Sequence, residues 1–197
     1  MDPVNAQKLA LRDQLTTGRR RRRLVEVSHD AVAIADGVLE IPEVRRAATV
    51  AAYVSYGAEP GTGPLLGLLQ GAGKRVILPV LLPDNDLDWA VYSGPDELRA
   101  VARGLLEPTG ERLGPDAVST ADVVLTPGLA VDRTGMRLGR GGGSYDRALG
   151  RVPLGTFVAM LLYDEELLET VPHAPHDRRV SAAVTPRGLR RFGRGQG

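Results

Sequence analysis

The stretch DVVLTPGLAVDRTGMRLGRGGGSYDRAL, residues 122–149, starts as a short β-branched apolar segment, breaks at Pro-Gly, and passes through a glycine-rich loop into SYDRALG (144–150), which reads as a short helix. A strand that hands over to a helix through glycine is the repeating unit of a parallel sheet covered by helices, and the rest of the chain repeats it. The runs AATVAAYV (47–54), RVILPVLL (75–82), ADVVLT (121–126) and TFVAMLL (156–162) are short and β-branched, mostly without clean alternation, as strands covered on both faces should be. Between the first two, GPLLGLLQGAG (63–73) reads as a helix closed by glycine, and LDWAVY (87–92), which alternates better, reads as an edge strand or hairpin arm. Residues 6–40 have no proline and carry Leu11, Leu15, Val25, Ala31, Ile34 and Leu39 at helical spacings, which predicts two helices broken near Gly18. The expectation is an α/β protein with a mostly parallel central sheet and helices on both faces, one domain over residues 1–197, frayed from about residue 188.

At 197 residues and 43% apolar the chain has enough material for a core of its own. Its formal charge of +1 gives no global field to attract nucleic acid and no acidic excess that favours disorder. Cysteine is absent, which removes disulfides, thiolate nucleophiles and sulfur-ligated zinc, and a reducing cytoplasm fits. No stretch reaches the roughly 18 apolar residues of a membrane span, and the N-terminus lacks a basic segment followed by an apolar run, so a soluble, unprocessed protein is expected. All basic residues except Lys8 and Lys74 are arginine, in a chain rich in Ala and Gly, so a single Arg carries little weight by itself. The run Arg19–Arg23 is expected to be a solvated helix face, because it has no aromatic interleaving and no net positive charge behind it.

The loop itself, RLGRGGGSYDR (137–147), reads either as a flexible surface loop or as a backbone cradle for an anion, and its composition favours the cradle. Glycine tolerates positive φ and leaves no side chain in the way, so successive backbone N–H groups are free to point inward, and a helix starting just after adds its positive dipole end. Arg137 and Arg140 are placed to bond phosphate oxygens, and Asp146 to hold a magnesium ion that bridges them. The segment is neither the nucleotide P-loop, which needs Lys-Ser/Thr after the last glycine, nor the dinucleotide fingerprint. Nor is Ser144 a hydrolase nucleophile, since Asp146 stands where that motif wants glycine.

Taken with its flanks, the stretch 122–149 resembles the signature of the 5-formyltetrahydrofolate cyclo-ligases, also called methenyltetrahydrofolate synthetases, where an apolar strand, Pro-Gly, an Asp and R-L-G-x-G-x-G-x-Y-D follow in that order. KLALR (8–12) is similar to the family's Lys-x-x-x-Arg element, YVSYGAEPGT (53–62) to its strand with a Glu before Thr, GKRVILPV (73–80) to its second strand, and PHDRRVSAAVT (175–185) to its closing Pro-His-Asp segment. The resemblance implies a three-layer α/β/α fold with a mostly parallel central sheet (NagB/RpiA/CoA-transferase-like), and conversion of 5-formyltetrahydrofolate to 5,10-methenyltetrahydrofolate with ATP hydrolysis to ADP and phosphate. It further implies that Lys8, Arg12, Arg137, Gly139, Arg140, Gly141, Gly142, Gly143 and Tyr145 meet ATP, with Arg140 and Lys8 serving catalysis. Asp146 and Asp177 would lie on the Mg²⁺ shell, and Val54, Glu59 and Ser144 on the folate, Glu59 accepting from ring N–H groups. The implied partners are reduced folate and ATP, with no nucleic acid or membrane, and the protein is expected to be a cytoplasmic monomer.

Plainer readings exist for most of these residues. Lys8 and Arg12, four apart on one helix face, are in most proteins solvated charges. Glu59 before Pro60 fits a turn carboxylate, Asp146 a dipole-stabilising residue, Trp89 core packing, and Asp132 an Asx turn before Gly135. His173 and His176 have zinc-like spacing, but interleaved prolines and a single further His favour a structural reading. The chain departs from the family pattern at three positions: Ser144 replaces a second Tyr, Ala174 an acidic residue and Ser181 an Asp. These departures leave open a diverged paralogue that acts on another formyl compound, or one that binds folate or nucleotide without turnover.

Overall fold

In a computed structural model, residues 3–175 and 177–193 are described. Helices α1 (Pro3–Arg20), α2 (Leu24–Leu39) and α3 (Pro42–Arg46) lead into β1 (Thr49–Ala51), α4 (Gly63–Gly71), β2 (Arg75–Leu81) and β3 (Leu87–Val91). A hairpin of β4 (Leu98–Ala100) and β5 (Leu106–Pro108) precedes β6 (Val123–Thr126), β7 (Ala130–Asp132), β8 (Arg137–Leu138) and α5 (Ser144–Arg151). The chain then forms β9 (Phe157–Leu161), β10 (Leu167–Leu168), β11 (Ala182–Thr185) and β12 (Gly188–Arg191). The main sheet has seven strands in the order β12-β11-β9-β6-β1-β2-β3. Its five inner strands are parallel, and antiparallel β12 and β3 close the edges.

Alternating residues of each inner strand enter different cores, which is why those strands read as unbroken apolar runs. Val50, Val76, Val123 and Ala159 pack with Ile34, Val38 and Leu69 from α2 and α4 on one face. Their chain neighbours Ala51, Ile77, Val124 and Met160 pack on the other face with Leu149 of α5, Val118 and Trp89. Helices cover both faces, giving the three-layer α/β/α arrangement. Burying a side chain of this kind contributes about 1.5–3 kcal/mol, so neither face of the sheet is left without its own stabilising layer.

Helix α1 lies apart from these two layers, against a small sheet ordered β10-β7-β8. Leu11 and Leu15 pack there on Leu129, Leu138 and Val171. The spacing of Lys8, Arg12, Leu15 and Arg19 puts them on one stripe of the helix, and the two buried residues of α1 are Lys8 and Arg19. Arg19 makes a two-pronged bond to Glu166, at 2.6 and 2.8 Å, and donates to the Gly128 carbonyl at 2.6 Å. Burial alone would lower the Arg19 pKa, but the hydrogen bonds and charge of Glu166 outweigh it and raise it.

Several sequence expectations are corrected. The helix break falls at Arg21–Arg23, not near Gly18, which stays inside α1 facing open space. The arginine run is not one solvated face: Arg19 is buried, Arg22 pairs with Asp30 and lies over the Tyr163 ring, and Arg20, Arg21 and Arg23 are exposed. The first strand is only Thr49–Ala51, with residues 52–54 leaving the sheet. The tail is not frayed from residue 188, because β12 pairs with β11 through Arg191. LDWAVY does form the edge strand β3, and Trp89 is fully buried in the core. Asp132 forms the Asx-type turn, accepting from Thr134 and Met136 N–H groups. His176 and the last four residues lie outside the described residues, and the His173 ring nitrogen contacts the Val171 carbonyl.

Candidate functional site

The chain leaves β1 for β2 on one side, while β6 lies on the other, so the C-terminal ends of β1 and β6 flank a topological switch point. In open α/β sheets a crevice forms there, because the loops diverge in opposite directions. A cavity of about 960 Å³ occupies this place, lined from the β1 side by Val54 and Glu59 and from the β6 side by Pro127 and Gly128. Its size lies at the upper end of the roughly 300–1,000 Å³ range of small-molecule sites.

The glycine loop forms one wall. Gly143 immediately precedes α5 with φ 72°, and Gly141 has φ 103°, backbone that a side chain would strain. At Gly141 a Cβ would also meet the Arg12 guanidinium at 3.2 Å, so the loop and α1 are in close approach. Arg12 secures that approach by donating from Nε to the Gly139 carbonyl at 2.9 Å. Gly139, Gly142 and Ser144 line the same wall, as do Arg140 and Tyr145.

Three ion pairs span the cavity. Lys8 Nζ bonds Asp177 Oδ2 at 2.5 Å, Arg137 Nη2 bonds Asp146 Oδ1 at 2.7 Å, and Arg140 Nε bonds Glu59 Oε1 at 3.0 Å. Each pair joins a cation expected at phosphate to a carboxylate expected at metal or folate. An anion and a divalent cation arriving together would exchange partners with these pairs and would not have to desolvate bare charges. Asp146 also accepts from the Arg178 N–H at 3.4 Å, which brings it beside the residue following Asp177.

All the sequence-predicted site residues therefore line one cavity. Of the three departures only Ser144 does. The Ala174 N–H holds Asp177 at 2.6 Å, and Ser181 links β11 to Val158, outside the cavity lining. The sequence reading missed several lining residues. Arg147 bonds the Asn85 carbonyl at 2.6 Å and ties α5 to the turn after β2, and Glu107 accepts from the Leu81 N–H. Tyr53 stands inside the apolar run 47–54, where nothing local marks it as a cavity residue. The Tyr145 hydroxyl is buried without a partner among the described residues; burial, with the Glu59 charge adding, pushes its pKa well up.

Among the described residues no cluster of three or more His, Asp or Glu is arranged to hold a metal alone. This donor set fits magnesium, which is usually held by one or two carboxylates and completes its shell with substrate phosphates and water. Asp146 and Asp177 both line the cavity and are the two carboxylates that would serve such an ion.

Fold and site together define a three-layer α/β protein with a cavity at the strand C-termini lined by a glycine loop and four cations, Lys8, Arg12, Arg137 and Arg140. The family description "5-formyltetrahydrofolate cyclo-ligase" matches residues 4–186, and the chain belongs to this family of ligases. It is 43% identical to the 5-formyltetrahydrofolate cyclo-ligase of Mycolicibacterium smegmatis over 144 residues, covering 71% of this chain and 74% of that protein. Against the enzyme of that name from Escherichia coli K12 the identity is 35% over 178 residues, covering 85% and 95%. The solved structure of Aquifex aeolicus 5,10-methenyltetrahydrofolate synthetase superposes with a TM-score of 0.82 at 28% identity, covering 96% and 95%. No helix among the described residues is long and apolar enough to cross a membrane.

Proposed function

We propose that the protein converts 5-formyltetrahydrofolate to 5,10-methenyltetrahydrofolate, using ATP and Mg²⁺ and releasing ADP and phosphate, as a cytoplasmic monomer. The observation that carries this reading is the Arg140–Glu59 pair at 3.0 Å, because it joins a phosphate-type wall to a folate-type wall within one cavity. A formamide oxygen is a weak nucleophile and a poor leaving group, so it must be activated beside the γ-phosphate with water excluded. Transfer of the γ-phosphoryl to the formyl oxygen breaks its bond to ADP. N10 then attacks the formyl carbon, and phosphate departs with the formyl oxygen as N10 loses its proton. Lys8, Arg12, Arg137 and Arg140, with the glycine-loop N–H groups, offset the charge that moves between phosphoryl oxygens. Glu59 accepts from the pterin N–H groups and orients the ring. Asp146 and Asp177 would hold the magnesium ion, whose chemistry is to neutralise the phosphate oxygens.

The direct test mixes protein, 5-formyltetrahydrofolate, ATP and Mg²⁺ and follows the near-ultraviolet absorbance of the methenyl product; a rise requiring all three ligands is expected. A second reading, a paralogue that acts on another formyl compound or binds without turnover, is favoured by Ser144, the departure inside the cavity. ATP binding with no absorbance rise would select it. In the active enzyme, Asp146→Asn is expected to raise the Mg²⁺ needed for half-maximal rate by about ten-fold or more, since even outer partners of metal ligands change affinity that much. An unshifted Mg²⁺ titration would reduce Asp146 to a carboxylate that only stabilises the start of α5.

A further inference from the structure

Tyr53 leaves the C-terminal end of β1 as the chain enters the switch point, lines the cavity, and is 3% exposed. Its hydroxyl is buried with no hydrogen-bond partner among the described residues. The ring packs with the core on the α2 and α4 face, which phenylalanine would do equally well. Burying a hydroxyl without a protein partner is costly, so the oxygen is a liability for folding that a polar group entering the cavity relieves.

We infer that the Tyr53 hydroxyl is a specificity-determining donor to the pterin of the reduced folate, acting beside Glu59. The inference rests on the folate reading above and deepens it. One edge of a 2-amino-4-oxopterin presents the amino group, N3–H and the 4-oxo oxygen in order: donor, donor, acceptor. Glu59 accepts from Arg140 on one oxygen and from the Tyr56 N–H on the other, at 2.8 Å, and each carboxylate oxygen keeps a further lone pair. Those lone pairs take the two ring donors. The oxo group then needs a neutral donor next to the carboxylate, and Tyr53 lines the same cavity as Glu59, on its β1 side. Burial, with Glu59 adding to it, raises the Tyr53 pKa well above the usual phenol value, so the O–H stays available to donate. A pterin lacking the oxo acceptor would leave this donor buried and unpaired, which is how a site built to bond a group rejects analogues without it.

Tyr53→Phe tests the assignment, because it removes the oxygen and keeps the ring. The variant is expected to raise the KM for 5-formyltetrahydrofolate by about ten-fold, as for one lost neutral hydrogen bond. Its kcat should stay within about two-fold, and the KM for MgATP should not move. Its ligand-free Tm should be equal to or above wild type, since an unpaired buried group has gone. A structural tyrosine would behave in the opposite way, lowering Tm. Calorimetric titration of both proteins with 5-formyltetrahydrofolate alone separates this inference from the reaction. Weaker binding by the variant supports it even where wild type shows no turnover. Equal folate affinity, a rise confined to the MgATP KM, or a loss accompanied by a lower Tm would overturn it. Failure of wild type to bind the folate would remove the proposed function and this inference together.

Discussion

Replacing Arg140 with alanine is expected to lower kcat/KM for 5-formyltetrahydrofolate by about 10²-fold or more, because a charge-assisted contact to the transferring phosphoryl is worth roughly 2–3 kcal/mol or more. Before ligand arrives the Arg140 side chain is 45% exposed but its partner Glu59 only 7%, so its loss leaves a buried carboxylate with the Tyr56 N–H alone among the described residues and carries a stability cost that the Tm reads separately. The kinetic penalty belongs to the reaction, where exclusion of water strengthens the same charge. Steady-state kinetics on the purified variant, with Tm as the folding control, checks this. An unchanged kcat/KM would remove Arg140 from the catalytic machinery and leave the Glu59 pair as its role.

Glu166→Gln is expected to destabilise the protein by about 3–5 kcal/mol, since it leaves the Arg19 guanidinium buried without a counter-charge. Both side chains of this pair are only 2% exposed, and Glu166 also accepts from the Tyr163 N–H at 2.9 Å. Chemical denaturation measures the effect. The paired change Arg19→Met with Glu166→Leu should recover most of the loss, because apolar replacements of similar volume commonly match or exceed a buried ion pair. If Glu166→Gln alone costs under about 1 kcal/mol, water reaches Arg19 and the pair is a surface one in effect.

The contrast between Arg19 and Val50 shows what the sequence makes legible. Val50 and its neighbours point to alternate faces and both faces are covered, so the strand appears as an apolar run and the parallel sheet can be read from it. Arg19 is buried, but a charge inside an arginine run reads as solvated, and nothing local reveals Glu166, which is 147 residues away. Strands β7, β8 and β10 are two or three residues long, too short for any period to show. Strand β12 carries Arg190 and Arg191 on an exposed edge, which made it read as tail. In the site, the glycine loop was visible because its composition states its chemistry. Tyr53 was invisible because an aromatic in an apolar run announces packing, and only the position of its oxygen says otherwise.

Helix α1 is held unequally along its length. Near its C-terminus Arg19 is locked by Glu166 and Gly128 in the protein interior, while eleven residues earlier, about 17 Å along the axis, Lys8 is held by Asp177 at the cavity, where an entering ligand competes for it. Between them the apolar grip comes from Leu11 and Leu15. The free energy of local opening should therefore rise along the helix, smallest at the cavity-facing first turns. Amide exchange should be fastest near Asn5 and slow towards Arg19, and MgATP should slow it chiefly in the first turns, as any ligand favours the closed form it binds. Under the proposed function α1 would then act as a clasp, anchored at Arg19 and tightened at Lys8 when nucleotide enters.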